Sequence, residues 1–334
     1  MKVSASVFSN PSVPLQQVVQ SLDVCKVDML HVDCSDEPEV FEKIEEIRTY
    51  SKTPIDLHII SDRPSLFVPL IEKHKPEFVQ FQYESLPSNF EHPIFEHSKM
   101  GLSIVSETDW KVFSKFEKAF RHILFMATTP GKSGGRFDPV NFKKIRSFKK
   151  QFPATRVHVD GGVNGEVSFI LRTLGVDCII SGSFLVKNDN PALAMLDLLH
   201  REIDSSFQVY DFMLPLEELP VMNINEANFF AAVETIDQYK YGFMFFTDNS
   251  GKLVGMTTNA DLRKALLKNQ QNLANIPVTD FINPHPFTCD ETLNVGAMLS
   301  KVKSASFPVL YLPVINSNGN LTGALTFQQL IKGE

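Results

Sequence analysis

Within the first 200 residues, eight short β-type runs alternate with helix-compatible stretches, and this rhythm restricts the fold more than any other feature of the chain. The runs are "VSASVF" (3–8), "MLHVDC" (29–34), "IDLHII" (55–60), "FVQFQY" (78–83), "GLSIV" (101–105), "ILFMAT" (123–128), "RVHVDG" (156–161) and "CIISGS" (178–183). Between them lie segments such as "PEVFEKIEEIRTY" and "DPVNFKKIRSFKKQF". Strands alternating with helices build parallel sheets from βαβ units. Eight such units in about 200 residues predict an α/β fold, a compact (β/α)8 barrel. The helix "PALAMLDLLHREI" after strand eight would close it.

From about residue 215 the pattern changes. "LPVMNINEANFFAAVETIDQY", "FMFFTD" and "LVGMTTNADLRKALLK" make one unit; "HPFTCDETLNVGAMLSKVK" and "VLYLPVINSNGNLTGALTFQQLIKG" make another. Each reads as a strand, a helix, two strands around a polar turn ("DNSGK", "NSNGN"), then a G-x-x-T element running into a helix. Two small α+β modules that cannot each bury a core alone would pack as a pair. The expected domains are a barrel at 1–205 and a module pair at 215–334, split into about 215–270 and about 276–334. The boundary falls in "SSFQVYDFMLPLEELP".

Composition narrows the function. A length of 334 residues exceeds the ~100–200 of one domain. The net charge of −7 argues against a nucleic-acid surface. No apolar run approaches the ~18–20 residues of a membrane-spanning helix, and "MKVSASVFSNPSVP" is too polar for a secretory signal. A cytoplasmic protein without membrane or nucleic-acid partners is expected. Cys25, Cys34, Cys178 and Cys289 form no CxxC pair and read as reduced structural thiols.

Residues i and i+2 of a strand share a side. His31 and Asp33 therefore share one near the end of strand two, Asp56 and His58 do so on strand three, and Asp160 ends strand seven. Any one could be a hydrogen-bonded polar residue at a barrel mouth. Together, His31, Asp33, His58 and Asp160 suit one divalent ion such as Zn, Fe(II), Mn or Co. Asp56 and Asp36 could orient those ligands. Glycines cluster on the same rim: "TTPGKSGGRF" (128–137), "DGGVNGE" (160–166) and "SGSF" (181–184). Glycine lets backbone N–H groups converge on an anion, and the loops after strands seven and eight are the usual phosphate site of such barrels. Metal, paired carboxylates and a phosphate grip indicate proton transfer on a sugar phosphate.

These motifs, in this order, resemble the ribulose-phosphate 3-epimerases. "VSASVFS" is similar to that family's opening strand, "HVDCSD" to its H-x-D-x-x-D element and "IDLHII" to its D-x-H element. "FMATTPGKSGGRF", "VDGGVN" and "ISGSFL" complete the set. The resemblance implies His31, Asp33, His58 and Asp160 as metal ligands, with Asp33 as base and Asp160 as acid on opposite faces of one carbon. It implies Gly162, Gly182 and Ser183 at the phosphate, Ser6 in the active site, and Met126 walling an enediolate. Gly131, Gly134 and Gly161 join the substrate-binding set. The chain departs from the family pattern at Ser35 and Glu37, where Met and Gly are usual. It departs again at Gln82 near a family histidine, in "GKSGGR", and in "VSET" (105–108). An intact acid/base set beside altered loops predicts epimerisation of a ketose phosphate, with the particular sugar changed.

Residues 215–334 resemble a tandem CBS pair, most closely the tail of bacterial arabinose-5-phosphate isomerases. "GMTTNAD" carries the G-h-x-T-x-x-D signature through Thr258 and Asp261. "GALTFQQ" keeps Thr326 but has Gln329 for the acid. The resemblance implies a regulatory adenine nucleotide or sugar nucleotide at the pair, and a homo-oligomer of two or more copies. The rival reading is a sugar-phosphate sensor without turnover. Aldolase or decarboxylase chemistry would want an inward lysine, which none of the eight runs carries.

Overall fold

The computed structural model describes residues 1–131, 134–199 and 206–327. Two compact units divide the chain, Met1–Ile203 and Asp204–Gln328.

The first unit is a closed barrel of eight parallel strands: β1 (Lys2–Ser6), β2 (Met29–Cys34), β3 (Ile55–Ile59), β4 (Phe78–Gln82), β5 (Lys99–Val105), β6 (His122–Met126), β7 (Arg156–Asp160) and β8 (Cys178–Ser181). They pair in chain order, and β8 closes on β1 through Val3↔Ile179. The helices are α1 (Leu15–Val24), α2 (Val40–Arg48), α3 (Val68–His74), α4 (Val140–Gln151), α5 (Gly165–Thr173), α6 (Ser183–Val186) and α7 (Pro191–Leu199). In α4 the buried Phe142, Ile145 and Phe148 recur every three residues, which gives the stripe that lies on the sheet.

The expected eight helices are not all present. Among the described residues, β4 and β5 are followed by short 3₁₀ turns, Tyr83–Ser85 and Trp110–Lys115. Aromatic rings cover the outside there instead. Phe81 lies 5.5 Å from Phe90 and 6.2 Å from Phe120, and Phe113 meets Phe148 edge-on at 5.2 Å. The abundance of phenylalanine, 28 in all, has this structural reason.

Inside the barrel, alternate residues face the lumen in levels drawn in turn from odd and even strands. Near the N-terminal end, Met29, Phe78 and Cys178 pack together beside His122. The next level brings Ser4, Asp56 and His158, and at Gly101 a Cβ would lie 2.2 Å from the His122 ring. His31, Gln80, Leu124 and Ile180 follow. The C-terminal mouth then receives Ser6, His58, Ser103 and Asp160, topped by Asp33, Gln82 and Met126.

The second unit contains α8 (Val209–Phe212), β9 (Leu214–Pro215), β10 (Val221–Asn223), α9 (Phe229–Tyr239), β11 (Phe243–Thr247), β12 (Leu253–Thr258), α10 (Asn259–Lys268), α11 (Val278–Phe281), β13 (Cys289–Asp290), α12 (Val295–Ser304), β14 (Tyr311–Ile315) and β15 (Leu321–Thr326). Its sheets run β10-β11-β12 and β13-β14-β15-β9. The repeat is visible in matched turns. Asp248 accepts from the N–H groups of Ser250 and Lys252, and Asn316 does the same for Asn318 and Asn320. Gly251 and Gly319 both take positive φ, 83° and 80°. The segment expected to hold the boundary contributes to the second unit: β9 pairs with β15, and Gln208 bridges to Asn294. Gln329 and the helix expected after Thr326 lie outside the described residues.

Candidate active site

Asp56 sits in the middle of the lumen with no exposure to solvent. Its carboxylate accepts from Ser4 Oγ at 3.0 Å, from Gln80 Nε2, and from His31 Nδ1 at 2.9 Å. Burial opposes ionisation, but His31 and its neighbours outweigh it and hold the Asp56 carboxyl at about 2. An ionised Asp56 makes His31 Nδ1 the donor, so the Nε2 of a neutral ring carries the lone pair. On β3, His58 Nε2 donates to Gln82 Oε1 at 2.8 Å, and Ser103 Oγ also bonds that oxygen at 2.9 Å. A neutral His58 thus keeps its lone pair on Nδ1.

Both lone pairs face the same carboxylate. Asp33 Oδ1 lies 3.3 Å from His31 Nε2 and 3.1 Å from His58 Nδ1. One ligand atom from each of His31, Asp33 and His58 falls within 4.8 Å of the others. His31 Nε2 is buried with no hydrogen-bond partner among the described residues. Two imidazole lone pairs opposing a carboxylate oxygen repel one another unless a cation or a proton lies between them. The donor set and its outer hydrogen bonds therefore fit a divalent ion. With no ion bound, burial disfavours charge on His31, yet Asp33 and Asp56 prevail and raise it well above the ordinary histidine range. Burial likewise opposes ionisation of Asp33, and His31 and His58 overcome it and hold its carboxyl far below the usual range.

Asp160 stands outside this group of three but lines the same cavity as Asp33, a cleft of about 350 Å³ at the C-terminal mouth. Burial lifts its carboxyl to about 6. The pocket also receives Ser6, Gly131, Gly134, Gly161, Gly162, Gly182 and Ser183. Two of the glycines have a steric reason. A Cβ at Gly162, whose φ is 66°, would lie 2.2 Å from the Phe137 nitrogen; one at Gly182 would lie 2.5 Å from Ser9 Oγ.

Two expected residues are placed differently. Met126 does not line the cleft; its side chain packs against Leu124 and Ile180 instead. Asp36 does not reach the histidines. It follows β2 in a left-handed conformation (φ 59°), which turns its carboxylate to Ser61 Oγ and toward Arg63 at 3.9 Å. Sequence reasoning did not single out Phe8, Ser9, Thr128 and Asn164, which also line the cleft. Asn164 carried a readable signal, because its side chain caps α5 by accepting from the Val167 N–H at 2.9 Å. That helix N-terminus opens on the cleft.

In the second unit, Thr258 and Asp261 line a cavity of about 700 Å³ with His285, Phe287, Phe307 and Tyr311. They also form a capping box at the start of α10. Thr326 is not on that wall; it pairs with Tyr311 across β14 and β15.

A closed parallel barrel with histidines, carboxylates and a glycine rim at its C-terminal mouth has the build of a barrel enzyme. Residues 2–186, over half of the chain, match the ribulose-phosphate 3 epimerase family, and the chain belongs to that family. The ribulose-phosphate 3-epimerase of Helicobacter pylori strain 26695 is 28% identical over 58% of this chain and 95% of its own length. That of Mycobacterium tuberculosis H37Rv is 28% identical over 51% and 80%. Residues 278–333 match the CBS domain. A further match, to Cag pathogenicity island protein S of Helicobacter pylori, spans residues 143–246 and straddles the two units. Solved structures match part of the chain as well. CBSX2 in complex with AMP is 24% identical, TM-score 0.32, over 38% of this chain and 95% of that one. CbpB in complex with c-di-AMP is 15% identical, TM-score 0.31, over 38% and 83%. No helix among the described residues is long and apolar enough to cross a membrane.

Proposed function

We propose that the barrel is a metal-dependent 3-epimerase of a ketose phosphate, and that the CBS pair regulates it by binding an adenine nucleotide. The observation that carries the first part is the meeting of Asp33 and Asp160 on one cleft, beside the His31–Asp33–His58 group and under the glycine rim. His31, Asp33 and His58 would hold the ion; the family resemblance adds Asp160. When bound, such an ion supplies Lewis-acid polarisation of the substrate carbonyl.

The chain's own residues then divide the work. Asp33, held ionised, takes the C3 proton on one face. Asp160, biased toward its protonated form by burial, returns a proton on the other face. Backbone N–H groups of Gly162, Gly182 and Ser183, with the α5 N-terminus, grip the phosphate and fix which carbon sits between the carboxylates. Asp56 and Gln82 keep the two imidazoles in the required tautomers. Around this core, Ser35, Glu37 and Gln82 are where the sugar preference departs from the ribulose 5-phosphate/xylulose 5-phosphate pair.

The test is solvent exchange. The metal-loaded protein is incubated in deuterated buffer with ribulose 5-phosphate and with other ketose phosphates, and the C3 proton is followed by NMR. Metal-dependent loss of the C3 signal with epimer formation is expected for at least one of them. Tight binding without exchange by any would favour the sensor reading and overturn catalysis. For the second unit, the support is the Thr258/Asp261 pair in a cavity walled by two phenylalanines, and calorimetry with AMP tests it.

A further inference from the structure

The opposite, N-terminal mouth of the barrel holds a separate cavity of about 630 Å³. Three cations on its wall begin odd-numbered strands: Lys2 in β1, Lys99 in β5 and Arg156 in β7. Strand alternation puts them on the sides of Ser4, Ser103 and His158, whose side chains point into the lumen. Parallel pairing and the shared odd-strand level make the three converge. Two more cations come from the last turns of helices, Lys149 and Arg172. One carboxylate, Asp177, is on the wall, so five positive groups face one negative group in a chain whose net charge is −7.

Helix-end contacts account for part of this set. Lys149 donates to the Gly175 carbonyl and lies 3.4 Å from Asp177; Arg172 donates to the carbonyls of Leu198 and Leu199. Those two satisfy helix ends. The strand-start cations have no such role. The side chains of Lys2 and Arg156 make no hydrogen bond or ion pair among the described residues, and Lys99 lies 5.3 Å over the Phe78 ring. A buried histidine lies on the same wall. His158 lines the cavity, is 2% exposed, and its Nδ1 is buried without a hydrogen-bond partner among the described residues. Buried polar atoms of this kind are rare in folded proteins.

We propose that this cavity binds the phosphate group of a small phosphorylated metabolite, as a second site remote from the active-site mouth. Arg156 offers the planar fork that suits a phosphate, and Lys2 and Lys99 add mobile point charges. Met29 and Phe78 give the carbon skeleton an apolar wall.

Methyl NMR of the full chain labelled with [methyl-13C]methionine tests this, because Met29 reports on this cavity while Met126 packs near the active-site mouth. Met29→Leu assigns the first signal. Titration with inorganic phosphate, then glycerol 3-phosphate, at constant ionic strength should move the Met29 signal saturably. Arg156→Gln and Lys99→Gln, both at exposed positions, should each weaken that response at least about tenfold, with the Met126 response and the melting temperature unchanged. The proposal is overturned if Met29 does not move, if both variants respond like the parent chain, or if sodium chloride at equal ionic strength gives the same shift.

Discussion

Each imidazole at the active-site mouth is fixed from behind by an acceptor, Asp56 for His31 and the Gln82 amide for His58. This arrangement separates the roles of residues that look alike in sequence. Asp33→Asn should remove turnover and most of the bound metal together, read by C3 exchange and by elemental analysis. Asp160→Asn should slow exchange by about 10²–10⁴-fold, the usual contribution of a general acid; near-full activity would reject its role. Gln82→Leu leaves all three ligand side chains intact but removes the acceptor that orients His58. Metal affinity should fall about 10–100-fold, measured by competition with a chelator. The i, i+2 spacing alone makes His31, Asp33, His58 and Asp56 legible in the sequence. Asp36 misleads, because the left-handed turn after β2 is a backbone event, and nothing in "DCSD" announces it.

Among the elements, β4 to β7 show how tightly the lumen is filled. Gly101 gives up its side chain so that His122 can stack on His158 at 4.5 Å. Gly101→Ala should therefore cost about 1–3 kcal/mol by overpacking, measured by urea unfolding. Combining it with His122→Ala should show a coupling of about 1 kcal/mol or more. The same histidine sets an acid limit. Burial, then His158, pushes its pKa well below 6.5. A group depressed in the folded state contributes its full stability above the unfolded value of about 6.5 and loses it as pH falls below that point. The stability that the parent chain holds over His122→Leu should therefore shrink as pH falls below about 6.5, measured by urea unfolding at several pH values. Strand periodicity predicts all eight strands. It overstates the helices, because the loops after β4 and β5 are as long as helical connections and only their aromatic packing tells them apart.

For the molecule as a whole, two units of different construction share one chain. If the C-terminal cavity regulates the barrel, AMP should change kcat/KM for C3 exchange, and Asp261→Ala should abolish the change while leaving turnover without AMP intact. Asp261 also caps α10, so the same variant should lower the stability of the second unit by roughly 1 kcal/mol. The order of the units is legible from the switch between two sequence rhythms. The membership of residues 208–215 is not, because β9 has only two residues and gains its identity from pairing with β15, more than a hundred positions away.

The ring-covered flank of β4 and β5 has a consequence for how the barrel breathes and how it diversifies. A helix docks as one cooperative piece, whereas rings on irregular loops can leave singly. The amides of β4 and β5 should thus exchange with solvent earlier than those of β7 and β8. The same seam is where extra residues could be spliced in without shifting strand register. New loops around this mouth would find room there first.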